Sequence, residues 1–95
     1  MYIVVSQWKP KPGKEADFEQ VGRTMRDLLR RQPGVKMIEA FDGPEGVYAI
    51  HVYEDESAYM QVVDHPNSYF NKMADEHGIH NVAEWVSSVK GTTKD

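Results

Sequence analysis

The stretch Gly46–Tyr53, GVYAIHVY, is apolar on both parities of an extended chain. Val47, Ala49, His51 and Tyr53 share one side and Tyr48, Ile50 and Val52 the other, because successive side chains of a strand point to opposite faces. A strand apolar on both faces has to be covered on both. The chain therefore needs helices over one face of its sheet and a second covering over the other. His51 is the exception in the stretch, a side chain that titrates near neutral pH among apolar neighbours. The run Glu54-Asp55-Glu56-Ser57 ends the strand. Ser57 is the expected cap of the following helix, whose dipole suits the nearby carboxylates.

The remaining elements fall out by period and punctuation. Tyr2–Trp8 alternates as a first strand and is broken by Lys9-Pro10-Lys11-Pro12-Gly13, whose prolines cannot donate to a ladder. Lys14–Gln32 reads as a helix with Phe18, Val21, Met25, Leu28 and Leu29 on one stripe. Arg23, Arg26, Asp27, Arg30 and Arg31 lie mostly off that stripe and read as a solvated face. Gly22, inside this helix, costs about 1 kcal/mol against alanine and is expected to be offset by close packing on a strand. Pro33-Gly34 ends the helix, Val35–Phe41 forms a second strand, and Asp42–Gly46 turns it into the third as a hairpin. A second helix from Ser57 to about Asp64 is interrupted at His65-Pro66 and continues from Asn67 to His77, with Pro66 at its first position and Gly78 as its stop. Asn81–Val89 is the last strand, with Ala83, Trp85, Ser87 and Val89 on one face. Lys90–Asp95 is a polar tail.

The order is βαββαβ, an α+β ferredoxin-like arrangement with two helices over one face of a four-stranded antiparallel sheet. At 95 residues it is one domain, with a core over residues 2–90 and a flexible tail over 91–95. The sheet face away from the helices carries apolar side chains that a monomer would expose, and such patches mark interfaces. A homodimer with two sheets face to face would cover them.

Composition narrows the chemistry. The chain has no cysteine, so disulfides, thiolate metal sites, thiol nucleophiles and iron–sulfur clusters are excluded, which fits a reducing cytoplasm. A net charge of −4 disfavours nucleic acid and anionic membranes as partners. No apolar run approaches the ~20 residues of a membrane span, and the strand-like start leaves no leader peptide to expect.

Several marks coincide in order and spacing: Pro12-Gly13-Lys14-Glu15 before Phe18, Pro33-Gly34 before the second strand, Tyr53-Glu54-Asp55-Glu56-Ser57-Ala58 after the third, and His65-Pro66 before Phe70. Together they resemble the antibiotic-biosynthesis-monooxygenase-like family of dimeric α+β barrels, over about residues 2–90. The resemblance implies a homodimer with a pocket in each subunit between sheet and helices. It also implies cofactor-free oxygenation of phenolic or quinol polycyclic substrates as one activity of the family, and haem degradation as another. The haem-degrading branch uses an Asn, Trp and His set, and this chain has Gln7 near the first position and Val62 near the second.

Within such a pocket His51 is the candidate catalytic group, as a general base or a hydrogen-bond donor. Tyr53, His65, Tyr69, Phe70 and Trp85 are the candidate substrate-binding residues, since aromatic walls suit a flat ring; the same aromatics serve equally well as core. His65, His77 and His80 complete no recognised metal pattern, and no phosphate-cradling glycine loop is present, so no metal, flavin or nicotinamide is expected. Two functions follow. The first is a cofactor-independent monooxygenase of a small aromatic, phenolic or quinol ligand. The second is a non-catalytic ligand-binding or stress-related dimer using the same pocket, with haem binding a further variant.

Overall fold

The computed structural model describes residues 1–94. Its elements run β1 (Tyr2–Pro10), α1 (Glu15–Arg30), β2 (Val35–Gly43), β3 (Gly46–Tyr53), α2 (Glu56–Tyr59), a π-helical turn (Met60–Asp64), α3 (Tyr69–His77), α4 (Ile79–Val82) and β4 (Ala83–Thr92). The four strands form one antiparallel sheet in the order β2-β3-β1-β4, as the ferredoxin-like reading requires.

Local chemistry explains where the elements begin and end, and it moves several expected boundaries. Asp55, not Ser57, caps α2: its extended backbone lets the carboxylate accept from the Ala58 N–H at 2.8 Å. Ser68, not Pro66, starts the continuation, because its hydroxyl accepts from the Asn71 N–H at 3.1 Å and donates to the Val63 carbonyl at 2.8 Å. Gly78 stops α3 in the left-handed conformation, at φ 70°. A short α4 then precedes the last strand, which starts at Ala83 rather than Asn81. That strand runs on to Thr92 beside β1, and Thr93 donates its N–H to the Met1 carbonyl at 2.8 Å, so the expected free tail is paired through residue 93. Asp95 lies outside the described residues.

The helices cover the sheet face that carries Tyr2, Val4, Ser6 and Trp8 of β1 and Val47, Ala49, His51 and Tyr53 of β3. Two clusters pack there. One gathers Tyr2, Val4, Leu29, Ile38, Tyr53, Tyr59 and Val62; the other gathers Trp8, Phe18, Met25, Ala74, Ile79 and Ala83. Between them the floor is made of small side chains. Ser6 pairs with Ala49 on one side and Ser88 on the other, and Ala49 pairs with Ala40, so Ser88, Ser6, Ala49 and Ala40 form one row across all four strands.

A β-bulge in β4 reassigns the last strand. The register against β1 shifts between Gln7 and Trp8, so that Trp8 pairs with Trp85 while Gln7 pairs with Ser87. Val86 is the extra residue, and a bulge of this kind turns the side chains beyond it to the opposite parity. Ala83 and Trp85 therefore face the helices while Ser87 and Val89 face away, where simple alternation had put all four together. The outer face carries Ile3, Val5, Tyr48, Ile50, Phe41 and Val89. Phe41 and Tyr48 stack there at 5.3 Å, and Val89 is 74% exposed.

Candidate functional site

The small-residue row leaves a cavity of about 450 Å³ between sheet and helices. Ser6, Ala40, Ala49 and Ser88 are its floor, and Gly22 of α1 lies in its roof. Trp8 forms one wall, with Phe18 at 6.3 Å, Phe70 at 6.5 Å and His80 at 6.0 Å around its ring. Its indole N–H donates to the Ser6 hydroxyl at 3.1 Å, which holds the ring upright and satisfies a buried donor. Tyr59 bounds the opposite side. Its hydroxyl accepts from Lys90 at 3.2 Å, and the same ammonium lies 5.1 Å from its ring centroid. Trp85 lines the mouth, 55% exposed, with its N–H donating to Ser88 at 2.9 Å.

His51 stands in the next row of the sheet, paired with Val4 and Ile38. It lines the cavity and is buried. Nδ1 lies 2.7 Å from the Tyr53 hydroxyl. Tyr53 is fully buried, and among the described residues its hydroxyl has no other partner. A buried O–H needs an acceptor, so Tyr53 donates to Nδ1 and the neutral imidazole carries its proton on Nε2. Among the described residues no buried side-chain polar atom is left without a partner, yet Nε2 makes no hydrogen bond to any of them. Nε2–H is therefore open to the cavity, as a donor.

Burial sets the electrostatics. Desolvation lowers the His51 pKa from 6.5 to about 4 and pushes the Tyr53 phenol well above its ordinary value, with Tyr59 adding to the latter. At neutral pH both are uncharged. The unfolded chain takes up the His51 proton below about pH 6.5, while the folded chain resists it until about pH 4. This group's contribution to stability is thus complete above pH 6.5 and is lost as pH falls toward 4. The loss between pH 7 and 4.5 is about 2 kcal/mol. Urea unfolding at the two pH values should show that difference in the wild type and a smaller one, by about that amount, in a His51→Phe/Tyr53→Phe double variant. Equal acid sensitivity in the two proteins would contradict a buried neutral His51.

The structure brings His51, Phe70 and Trp85 together on one cavity. The other three expected site residues lie elsewhere. Tyr53 stands behind His51 as its hydrogen-bond partner rather than as a wall. Tyr69 packs against the Tyr2–Leu29 cluster. His65 is exposed at the helix break, where Nδ1 accepts from the Asn67 N–H at 3.1 Å. His80 and Arg26 line the cavity and were missed. His80 has no context in the sequence, because that context is the short α4 and a tilted contact with the Trp8 ring. Among the described residues no three His, Asp or Glu side chains converge in a way that could hold a metal. Among the described residues no helix is long and apolar enough to cross a membrane.

A four-stranded antiparallel sheet in this order, with helices over one face, defines the ferredoxin-like α+β class. The family model for antibiotic biosynthesis monooxygenases matches residues 1–68, and the chain belongs to that family. No curated protein matches it by sequence. Solved structures share its fold over nearly the whole chain. SnoaB, a cofactor-independent oxygenase from Streptomyces nogalater, superposes with a TM-score of 0.79 at 18% identity, covering 99% of this chain and 93% of its own. Rv0793 from Mycobacterium tuberculosis gives 0.78 at 13% identity, covering 99% and 95%. A conserved protein of Methanosarcina mazei gives 0.78 at 15%, covering 98% and 92%. At these identities the likeness is one of fold.

Proposed function

We propose that the chain is a cofactor-independent monooxygenase of a small aromatic, phenolic or quinol substrate, acting as a cytoplasmic homodimer. The observation that carries this reading is the Nε2–H of His51, held by Tyr53 and open to an aromatic-walled cavity. A phenol or quinol releases its proton to solvent as it enters and is held there as an electron-rich anion, which supplies the electrons. Dioxygen is the oxidant, with one oxygen atom entering the product and the other leaving as water. The protein's part is to orient the ring between Trp8, Phe70 and Tyr59, to exclude bulk water, and to donate from Nε2 to the ring oxygen as negative charge gathers on it. SnoaB's description as a cofactor-independent oxygenase supports the same chemistry on this fold.

The test is oxygen uptake by purified, EDTA-dialysed protein against a panel of hydroquinones, naphthols and anthrone. Uptake above the buffer rate, proportional to protein and matched to loss of substrate, is the expected result. Saturable binding without uptake would leave a binding module as the function. The weak basicity of His51 is the observation that favours that second reading.

A further inference from the structure

The arginines of α1 do not behave alike. Arg23 pairs with Glu19 at 3.4 Å, and Arg30 pairs with Asp27 at 2.9 Å while donating twice to the Ile38 carbonyl. Arg26 makes no ion pair and no hydrogen bond to any described residue, although it is half-buried and lines the cavity. A long helical side chain leans toward the helix N-terminus, and that of Arg26 lies back over Gly22, one turn earlier. A Cβ on Gly22 would sit 3.0 Å from its Nη1. Gly22 is buried and forms part of the roof. The missing side chain thus makes room for a guanidinium inside the site, rather than for the close approach of a strand.

We propose that Arg26, seated over Gly22, anchors a carboxylate carried by the aromatic ligand of this cavity, which makes the substrate class an aromatic acid. This rests on the reading of the cavity as an aromatic-ligand site. Five N–H donors in a planar fork match a carboxylate in two parallel bonds, and on this cavity-lining side chain none of them meets an acceptor among the described residues. Burial, then Arg30 and Arg23, lower the Arg26 pKa, while Asp27 and Glu39 oppose the shift; the group stays cationic at neutral pH. An anion arriving at this point relieves a concentrated positive charge on a chain whose net charge is −4. The other cation on the cavity, Lys90, is already engaged by Tyr59 and lies near Asp64.

Calorimetric titration with 2-naphthoate and with its neutral counterpart 2-naphthamide tests the assignment. The wild type should bind the acid at least about tenfold tighter than the amide. Arg26→Met should bring the two affinities together by weakening only the acid. Gly22→Ala raises helix propensity, so it should fold at least as well as wild type, yet it crowds Nη1 and should lower the acid preference in part. A preference that survives Arg26→Met, or one abolished by Lys90→Met instead, overturns the role of Arg26. Amide binding with no preference for the acid in the wild type overturns it too, and leaves the aromatic site standing. If neither probe binds the wild type, the aromatic site itself falls and this assignment falls with it.

Discussion

His51→Ala is expected to slow turnover of a phenolic or quinol substrate by about 10²-fold or more, the effect of removing a positioned proton donor or oxyanion partner. The magnitude follows from placement. His51 sits mid-strand in β3 with cross-strand partners on both sides, and its ring is fixed by Tyr53, so little reorganisation is needed as charge develops. Alanine also leaves the buried Tyr53 hydroxyl without its acceptor, which costs about 1–3 kcal/mol and could be mistaken for a folding defect. The double variant His51→Phe/Tyr53→Phe separates the two effects. It removes both polar partners at nearly constant shape, which can be close to neutral for stability, so it should fold like the wild type and remain as slow as His51→Ala. A folded double variant with full turnover would remove Nε2–H from the mechanism.

Ile50→Glu should dissociate or unfold the protein. Ile50 lies on the outer sheet face at the centre of the two middle strands, opposite Val5. In the proposed dimer that position is buried against a second sheet, where an unpaired carboxylate costs several kcal/mol. Each 1.4 kcal/mol weakens association tenfold, so the variant should dissociate at least about 10²-fold more readily. Sedimentation velocity at micromolar protein should give twice the 10.9 kDa chain mass for the wild type and the chain mass for any folded variant. A wild type that sediments as a monomer would overturn the dimer outright. Val4→Glu, on the helix-covered face, would not make this test, because Val4 belongs to the subunit's own core.

Much of the fold was legible because it is written in period. Alternation in Gly46–Tyr53 put His51 and Tyr53 on one face, and His65-Pro66 and Gly78 marked a break and a stop that depend on two or three residues each. The face of Trp85 relative to Val89 was not legible, since nothing in Glu84–Ser88 announces that Val86 is an extra residue against β1. Arg26 was misread for a different reason. Helical spacing locates its Cα off the apolar stripe, but the guanidinium lies a full turn away, where Gly22 leaves space. The cavity itself is a matter of register. Ser6, Ala40, Ala49 and Ser88 are ordinary residues in four separate segments, and they become a floor only once the strands are aligned.

That floor has a consequence for how such a protein can diversify. Its four side chains come from four strands, and the strands are held by backbone hydrogen bonds that do not depend on which side chain stands in the row. The two apolar clusters pack on either side of the row rather than through it. The shape of the cavity is therefore set in part by positions, Ala40 and Ala49, that the folding of the chain hardly uses. Ala40 and Ala49 can each gain or lose a methyl group and reshape the chamber while the sheet, the Trp8–Ser6 bond and the His51–Tyr53 pair stay as they are. An architecture of this kind separates the part that makes a protein from the part that chooses a molecule, so that one scaffold can be re-addressed to new ligands by small, independent steps.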